Sequence, residues 1–500
     1  MDRTIVVNAT AEENRVAVLD GARLEEFYVE RTLIERIVGN VYKGRVESLL
    51  VGIGAAFVNI GLEKNGFLYI DDILEDGSPY NEIVQEEMGR NYKRGQRRDA
   101  PKKISDLLKK GEEVLVQVVK EPIGTKGARL TAHISLPGRY MVLMAHDKHR
   151  GVSRKIVDQK ERKRLKAMID RWKALKDVGL IVRTAASGHT EEELKREAIY
   201  LYNVYRRMEK VAAKKSAPAL AHREYGLIQR MARDNFPEDS KLMAIDSRDE
   251  FKKTLVLLRA MSPKMRSKVK YYKGQAPIFE KFSVAEEIEK IYNRRVSLHC
   301  RGYIIIEPTE SLIAIDVNTG RFTAKNPEDT AFIVNKEAAV EIARQLKLRD
   351  MGGIIVIDFI DMENKGHRKT VQNVLSEALK KDKARIKVLS ISPFGLVEMT
   401  RQRMRRSLES ASYQACPHCG GRGMVKSPLT MAIEVIRLLE KRLKGQRYKR
   451  VEVNVSPELK EYILQKYKKT IAVLGKRARC NVVIIDKQHR HIEDISVEVK

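Results

Sequence analysis

Two apolar runs in the second half of the chain end in polar residues and enclose a helical segment. Residues 312–320 read Leu-Ile-Ala-Ile-Asp-Val-Asn-Thr-Gly, and residues 353–361 read Gly-Ile-Ile-Val-Ile-Asp-Phe-Ile-Asp. Apolar runs of this length are typical of buried strands. Between them, Asn326 and Pro327 form a typical helix start, and the helical pattern ends before Gly352. Strand, crossover helix and strand together predict two parallel strands that lie close together.

The acidic residues at the two strand ends predict a metal site. The carboxyl ends of parallel strands open on the same edge of a sheet, where α/β proteins commonly bind ligands. Asp316 and Asn318 are two residues apart and share one face of their strand, and Asp358 can converge on them. Oxygen ligands of this kind are those that Mg²⁺ takes. The alternative is that they are ordinary turn residues, but the repetition at both strands favours the metal site.

The first quarter of the chain is rich in short strands. Alternation of apolar and polar positions over residues 4–29 predicts a β-meander. Further short strands are predicted at residues 41–48, 54–60, 66–70 and 114–119. A polar, basic stretch at about 90–110 interrupts them and predicts a long loop. Short strands of this number and length fit an OB barrel.

Aromatic residues mark one surface of the predicted barrel. Phe57 and Phe67 lie on strands joined by a tight turn, and Tyr69 shares a face with Phe67. Barrels of this class stack nucleic-acid bases on such rings and hold the backbone with cations, and Lys126 is placed to be one of these cations. Aromatic residues in strands are equally often part of the core, so the pattern alone leaves both interpretations of Phe57 open.

A candidate phosphate-binding turn follows a strand predicted at residues 180–183. Arg183 and Thr184 stand at its end, and Thr190 with Glu193 forms a capping box that begins a long helix. An arginine and a hydroxyl just before a helix N-terminus suit a phosphate group. By itself this signal is weak, because such turns are more often simply solvated.

The last part of the chain contains a pair of cysteines with metal-binding spacing. Before this pair of cysteines, the pattern predicts a helix at about 368–382, a strand at 385–391 and a helix from Leu396 that carries Arg401. Cys416-Pro417-His418-Cys419 is then typical of a zinc knuckle. A structural zinc takes four ligands, and the chain has no second pair of this kind, since its other two cysteines are isolated. The simplest completion of the site is a second copy of the chain.

Composition indicates the partner. Lys and Arg number 96 against 67 Asp and Glu, and the formal charge of +29 is spread along the whole chain. Such a field attracts polyanions, either nucleic acid or an anionic membrane. No apolar run approaches the roughly 20 residues of a membrane-spanning helix, and the first residues do not resemble a signal peptide. Four cysteines in 500 residues favour a reducing cytoplasm over a secreted disulfide scaffold.

Four stretches together resemble one known family. They are Ile315-Asp316-Val317-Asn318, the run from Gly352 to Met362, Arg401-Gln402-Arg403 and Cys416-Pro417-His418-Cys419. In this order they resemble the ribonuclease E/G family of bacterial endoribonucleases, and the similarity extends from the N-terminus past the cysteines. The chain length is similar to that of the shorter, G-type members rather than the longer E-type members, which carry a disordered scaffold arm.

The resemblance implies an α+β multidomain fold. An S1 RNA-binding domain of OB fold is inserted in an RNase H-like unit, and a 5′-phosphate sensor, a DNase I-like α/β catalytic subdomain, a zinc link and a small C-terminal α/β domain complete the chain. The implied boundaries are 1–36 and 225–290 for the two parts of the RNase H-like unit, 37–131 for S1, 132–224 for the sensor, 291–412 for the catalytic subdomain, 413–426 for the zinc link and 427–500 for the C-terminal domain.

The resemblance also implies roles for individual residues. Asp316 and Asp358 match the magnesium aspartates, and Asn318 matches the asparagine beside them. The RNA contacts of the S1 surface correspond to Phe57, Phe67 and Lys126, which favours a surface position for Phe57. The pocket for a 5′-monophosphate corresponds to Gly138, Val142, Arg183 and Thr184, with Arg154 and Arg385 as neighbours. Cys416 and Cys419 match the zinc ligands. The basic stretch at about 90–110 departs from the family, so no RNA contacts are implied for it.

The predicted function is that of a cytoplasmic, Mg²⁺-dependent endoribonuclease that cuts single-stranded RNA, in rRNA processing and mRNA decay, and is stimulated by a 5′-monophosphate. Products with 5′-phosphate and 3′-hydroxyl ends are expected. The predicted assembly is a homodimer that shares zinc, and two such dimers could pair. The alternative is a non-catalytic RNA-binding or ribosome-assembly factor that uses the same basic surface. Intact acids at both strand ends favour the enzyme.

Overall fold

The computed structural model describes residues 2–33, 36–74, 87, 103–122, 126–145, 147–392, 394–403, 408, 413–445, 448–488 and 490–499. Most of the basic stretch predicted as a long loop therefore lies outside the described residues. The chain forms two compact units, Met1–Leu408 and Glu409–Lys500. Within the described ranges, no helix is both long enough and apolar enough to cross a membrane.

The strands fall into five sheets across the described part of the chain. In chain order they are β1 (Arg3–Ala9), β2 (Glu13–Asp20), β3 (Arg23–Arg31), β4 (Val41–Leu50), β5 (Ala55–Asn59), β6 (Gly66–Tyr69), β7 (Glu113–Lys120), β8 (Arg129–Thr131), β9 (Ser135–Pro137), β10 (Met141–Met144), β11 (Arg150–Val152), β12 (Gly179–Val182), β13 (Ala219–His222), β14 (Leu242–Ile245), β15 (Val269–Tyr271), β16 (Arg295–Ser297), β17 (Tyr303–Pro308), β18 (Leu312–Asn318), β19 (Gly353–Asp358), β20 (Ile386–Val388), β21 (Leu396–Arg401), β22 (Arg450–Val455), β23 (Asn481–Asp486) and β24 (Ser496–Val499).

The α-helices connect and cover these sheets. They are α1 (Ile104–Leu107), α2 (Gln159–Asp170), α3 (Glu191–Lys214), α4 (Leu227–Asp234), α5 (Arg248–Met261), α6 (Ile278–Lys281), α7 (Ala285–Lys290), α8 (Pro327–Leu348), α9 (Lys365–Leu379), α10 (Pro428–Leu443), α11 (Pro457–Lys466) and α12 (Lys468–Ala478). The fold is thus a mixture of helices and sheets, as predicted.

The N-terminal strands form the predicted meander, because β1, β2 and β3 pair antiparallel in succession. The sheet is completed by strands from much later in the chain, in the order β15-β14-β1-β2-β3. β1 and β14 are parallel, and Thr4 aligns with Leu242. One face of this sheet buries apolar side chains of α4 and α5. The meander was readable from local alternation, whereas the pairing of β1 with β14 was not.

The predicted small barrel is present and closed. Strands β4, β5, β6, β8 and β7 pair in that order, and β4 pairs again with β7 to close the ring. β13 adds to the outer edge of β4. The interior is filled by alternate apolar residues of these strands, among them Val58, Leu68 and Val116. A closed barrel of this size is consistent with an OB-like fold.

A four-stranded sheet in the order β11-β12-β10-β9 follows the barrel. It packs against α2 and α3 around a large apolar core. The capping box that begins α3 is confirmed, because the Thr190 side chain accepts the N–H of Glu193 and the Glu193 carboxylate accepts the N–H of Thr190. The end of β12 therefore leads through a short turn into a well-defined helix start.

The six-stranded sheet in the order β16-β17-β18-β19-β21-β20 contains the two acidic strand ends. β18 and β19 are parallel neighbours, and α8 connects them, as predicted. The Asn326 side chain caps α8 by accepting the N–H of Asp329 at 2.7 Å. Buried residues of α8 and α9 form one core with one face of the sheet. The other face carries the more exposed positions of each strand.

The helix predicted from Leu396 is wrong. This segment is strand β21, antiparallel to β19. Val397 and Met399 are buried while Glu398 and Thr400 are exposed, a period of two that fixes a strand. Arg401 ends the strand in the interior, where Asp382 and Asp350 accept its N–H groups at 2.7 Å and 3.1 Å. Its role is to pair with buried carboxylates.

The C-terminal unit is a small α/β body. Its sheet has the order β23-β22-β24, with β22 and β23 parallel and β24 antiparallel to β22. Apolar residues of α10 and α11 pack on this sheet around Val451, Val453 and Val455. The cysteine knuckle precedes α10 in the chain.

Candidate functional site

Asp316 and Asp358 lie on the uncovered face of the six-stranded sheet. Each is exposed and follows a buried isoleucine, Ile315 or Ile357, whose side chain faces the helices. The alternation of the strands therefore aims both carboxylates away from the core. We call this face, with Asp316, Asn318 and Asp358, the acidic face.

The residues of the acidic face are close together. Asp316 and Asp358 are direct neighbours in the register of β18 and β19, whose backbones run about 4.8 Å apart in any sheet. Asn318 donates an amide N–H to the Asp316 carboxylate at 2.7 Å. Partial burial, Asp316 and then Asp361 raise the pKa of the Asp358 carboxyl above its usual range. The charged groups that shift the pKa of the Asp358 carboxyl are thus both carboxylates, so the acidic face is negative among the described residues.

This donor set suits a hard divalent cation, since two carboxylates and an amide oxygen are ligands that Mg²⁺ accepts together with water. In the described residues, no group of three or more His, Cys, Asp or Glu side chains is close enough to hold a metal ion by itself. The residues on this face would therefore supply part of a coordination shell, with water or substrate oxygens completing it. Sequence reasoning assigned no role to Asp361, although it ends the same conspicuous run.

The aromatic residues of the barrel form a row on its surface. Phe57 and Phe67 face each other across β5 and β6 with ring centroids 5.4 Å apart, and the Phe67 and Tyr69 centroids are 4.5 Å apart. The Arg129 guanidinium lies 5.0 Å from the Tyr69 ring centroid. Phe57 and Phe67 are half-buried, and Lys126 is exposed. The row offers ring faces beside cations, an arrangement suited to stacked bases.

Arg183 and Thr184 lie at the end of β12, beside the turn between β9 and β10. The Arg183 guanidinium donates to the Gly138 carbonyl at 2.5 Å and to the Asp234 carboxylate at 2.7 Å. The Thr184 and Ser153 hydroxyl oxygens are 3.1 Å apart. The structure thus brings Arg183, Thr184 and Gly138 together, and we call them the Arg183 pocket.

The backbone that follows Gly138 is fixed by a buried carboxylate. Glu197 of α3 is fully buried and accepts the backbone N–H groups of Arg139, Tyr140 and Met141 at 2.6, 2.7 and 3.1 Å. Burial raises the pKa of the Glu197 carboxyl to about 7 despite these donors. A Cβ on Gly138 would lie 2.7 Å from the Glu197 carboxyl carbon, so a side chain at residue 138 would require the Glu197 carboxylate to move. Sequence reasoning missed Glu197 because nothing local links α3 to this turn.

The other predicted pocket residues have more distant positions. Val142 is fully buried in the middle of β10 and supports the pocket from within the sheet. Arg154 follows Ser153, and its side chain is exposed. Arg385 lies just before β20, and its carbonyl accepts the N–H of Gln402. Arg385 therefore lies at the edge of the acidic-face sheet. Within the described residues, it makes no hydrogen bond to Arg183 or Thr184.

The cysteine knuckle has the features of a ligand turn. Gly423 donates its N–H to the Cys419 sulfur at 3.2 Å, and this and neighbouring N–H groups lower the pKa of the Cys419 thiol. Cys416 is exposed. The His418 ring packs against the ring of His491, with centroids 4.3 Å apart. Backbone donors that favour a thiolate are consistent with metal binding, but among the described residues no group of three or more His, Cys, Asp or Glu side chains completes a metal site here.

Known proteins match nearly the whole chain. The family model described as Ribonuclease E/G family matches residues 135–404, and the one described as RNase E/G, Thioredoxin-like domain, matches residues 415–500. Ribonuclease G of Escherichia coli strain K12 is 44% identical over 441 residues, covering 87% of each chain. Ribonuclease G of Haemophilus influenzae is 39% identical over 461 residues, covering 92% of this chain and 91% of that protein. Ribonuclease E of Escherichia coli strain K12 is 36% identical over 499 residues, covering 98% of this chain and 46% of that protein. These matches include the acidic face, the Arg183 pocket and the knuckle.

Proposed function

The chain belongs to the ribonuclease E/G family and is an endoribonuclease, and we propose that its catalytic centre is the acidic face. The observation that carries this proposal is the register pairing of Asp316 with Asp358 on an exposed sheet face, where the charged neighbours that shift the pKa of Asp358 are carboxylates. A factor that only binds RNA has no use for adjacent carboxylates, since they repel phosphates. The non-catalytic alternative is therefore the weaker one.

Magnesium is the proposed catalytic metal, held by Asp316 and Asp358. Bound there, Mg²⁺ supplies Lewis acidity and a nucleophilic water at neutral pH. The residues of the chain fix the positions of the groups: Asn318 donates to Asp316 and orients its carboxylate, while its amide oxygen stays available for a water or a ligand. Asp361 adds negative charge behind Asp358. In-line attack on the scissile phosphodiester would leave 5′-phosphate and 3′-hydroxyl ends.

The proposed substrate is single-stranded RNA, with bases stacked on the barrel row of Phe57, Phe67 and Tyr69. The ring spacings and the adjacent Arg129 support this, and Lys126 is exposed on the same barrel. Stacking is possible only for unpaired bases, so a duplex would not use this row. Precursor rRNA and mRNA in the cytoplasm are the proposed cellular substrates.

We assign the recognition of a 5′-monophosphate to Gly138, Val142, Arg183 and Thr184, with Arg154 and Arg385 as neighbours. The support is a buried guanidinium beside a hydroxyl and a backbone N–H at the start of a short helical turn, groups that bind phosphate well. Binding of the end at this pocket would orient the RNA and accelerate cleavage elsewhere in it.

We infer a structural zinc at Cys416 and Cys419, shared by two copies of the chain in a homodimer. Two thiolates supply half of a tetrahedral site, and twofold symmetry supplies the other half. Two such dimers could pair further. The contact between His418 and His491 within one chain makes an internal site the competing arrangement, and the number of zinc ions per chain distinguishes the two.

The proposed subdomains follow the family: an RNase H-like unit from 1–36 and 225–290, S1 at 37–131, the sensor at 132–224, the DNase I-like subdomain at 291–412, the zinc link at 413–426 and the C-terminal domain at 427–500. The sheets support this division, since the barrel strands β4–β8, the sensor sheet and the acidic-face sheet each fall within one proposed segment.

One experiment tests the proposed function directly. The purified protein is incubated with short single-stranded RNAs of one sequence that begin with a 5′-monophosphate or a 5′-hydroxyl, with Mg²⁺ or with EDTA. We expect internal cleavage only with Mg²⁺, and faster cleavage of the monophosphorylated RNA. Cleavage that continues unchanged in EDTA would contradict the metal-dependent mechanism. Equal rates on the two ends would contradict the phosphate pocket.

A further inference from the structure

The Arg183 pocket is already filled by a carboxylate of the chain itself. Glu87, which precedes the basic stretch at about 90–110 in the sequence, is buried with only 5% of its surface exposed. One carboxylate oxygen accepts the Thr184 hydroxyl at 3.0 Å and the Thr184 backbone N–H at 3.3 Å. The other lies 3.5 Å from Nε of Arg183. The Glu87 backbone carbonyl also accepts the N–H of Arg154 at 2.9 Å.

These donors are the ones that a terminal phosphate needs. The Arg183 guanidinium, the Thr184 hydroxyl and the Thr184 backbone N–H are what the pocket offers an anion. Glu87 engages all three, so its carboxylate stands in the position of a phosphate. A donor held by Glu87 is not available to an RNA end at the same time.

Charge makes simultaneous occupancy still less favourable. Arg183 is also paired with Asp234 at 2.7 Å, so its single positive charge already faces two carboxylates. A 5′-monophosphate carries close to two further negative charges at neutral pH. In a site where Arg183 is only 12% exposed, like charges this close are poorly screened.

We propose that Glu87 is an internal competitor for the 5′-phosphate, a specificity-determining residue that a monophosphorylated RNA end must displace before it binds the Arg183 pocket. This inference rests on the proposed function of that pocket and deepens it. An RNA with a 5′-hydroxyl leaves Glu87 in place and is cut at the basal rate. The pocket therefore responds only to an anion that binds Arg183 and Thr184 better than the built-in carboxylate does.

The test compares Glu87→Gln and Glu87→Ala with the parent protein. Glu286→Gln is the matched control, because the Glu286 carboxylate is 87% exposed and pairs with Lys290 on the protein surface. For each protein, kcat and KM are measured with 5′-monophosphate and 5′-hydroxyl RNAs of one sequence. Glu87→Asp keeps the charge and serves as the conservative variant. Thermal unfolding shows that each variant is folded, and equilibrium binding of both RNAs without Mg²⁺ gives a readout independent of cleavage.

If Glu87 competes with the phosphate, both neutral variants lower KM for the monophosphorylated RNA by about tenfold, since a hydrogen bond to a charged group is lost from the competing state. The rate on the 5′-hydroxyl RNA should be the same in all of these proteins. The Glu286→Gln and Glu87→Asp proteins should keep the parent KM for the monophosphorylated RNA. A preference for the monophosphate that Arg183→Gln removes but Glu87→Gln leaves at the parent value would overturn the role of Glu87 and leave the pocket standing. No preference in any protein would instead overturn the pocket itself, and this inference with it.

Discussion

The acidic face and the Arg183 pocket differ in how their charges are balanced. On the acidic face, partial burial and the neighbouring carboxylates of Asp316 and Asp361 raise the pKa of the Asp358 carboxyl. In the Arg183 pocket, the cation is buried and paired with Asp234 and Glu87. The first region exposes like charges that an external cation would relieve. The second satisfies its charges internally, so that a ligand must displace something.

This difference indicates how each region should respond to change. Removing a charge from the acidic face relieves repulsion, so activity should fall while stability is kept. Removing a charge from the Arg183 pocket leaves a buried partner unpaired, so stability and selectivity should change together. The four predictions below test this contrast, beginning with the largest expected effect.

The largest effect is expected for Asp316→Asn and Asp358→Asn. Each should reduce the cleavage rate by roughly a thousandfold or more, at least about 4 kcal/mol of barrier, because a ligand of the catalytic metal is lost. RNA affinity should be nearly unchanged, since the basic surface and the aromatic row remain. Single-turnover cleavage and equilibrium RNA binding measure the two quantities.

Glu398→Gln is the matched control for these variants, because Glu398 is exposed on the neighbouring strand β21. It should keep the parent rate. If Asp316→Asn cleaves at nearly the parent rate at low Mg²⁺, Asp316 is not a ligand of the catalytic metal.

The second prediction concerns Asp72, a carboxylate that is buried like those of the Arg183 pocket but only partly paired. Asp72 is fully buried beneath the barrel row, with one oxygen 3.3 Å from an Arg129 nitrogen and the other without a described partner. Burial raises its pKa from 3.8 to about 7 against the opposing effect of Arg129. The folded state therefore holds a proton that the unfolded state releases, so stability should fall as pH rises from about 4 to 7.

The size of that loss is roughly 2–4 kcal/mol from the shift in pKa. Asp72→Asn should flatten this part of the stability curve, as measured by thermal unfolding from pH 4 to pH 8. An identical decline in the parent and in Asp72→Asn would show that other groups cause the pH dependence.

The third prediction tests the paired pocket. Arg183→Gln should abolish the preference for a 5′-monophosphate, a change of about tenfold or more in kcat/KM, because a charge-assisted bond to the phosphate is lost. Cleavage of the 5′-hydroxyl RNA should stay near the parent rate. Arg206→Gln, at a side chain that is 55% exposed on α3, is the control and should retain the preference. A preserved preference in Arg183→Gln would assign phosphate recognition elsewhere.

The smallest effect on catalysis is expected for Cys416→Ser. This change should lower the zinc content and the dimer population together, because the shared site loses ligands from both copies. Cleavage should fall only as far as the active site depends on the partner. Metal analysis and mass in solution provide the test, with Cys480→Ser as the control in the same unit. One zinc per chain in a monomeric protein would show that the site is completed within one chain, and the shared-zinc model would be wrong.

Much of the secondary structure was readable from local patterns. The meander, the α8 start at Asn326, the capping box at Thr190 and the parallel pairing of β18 with β19 were predicted, because each depends on residues close in sequence. The segment from Leu396 was assigned to the wrong class. Its apolar residues fit helical and strand periods over so short a run, and only pairing with β19 decided between them.

The sequence by itself determined the chemistry: acids at two strand ends, an arginine and a threonine at a third, aromatic residues on a barrel and two cysteines with knuckle spacing. The tertiary structure decided how these groups are balanced. Glu197 next to Gly138 and Glu87 within the Arg183 pocket are contacts between segments that lie far apart in the sequence. No local pattern encodes such contacts, because burial and pairing of charge depend on the packing of the whole domain rather than on neighbours along the chain.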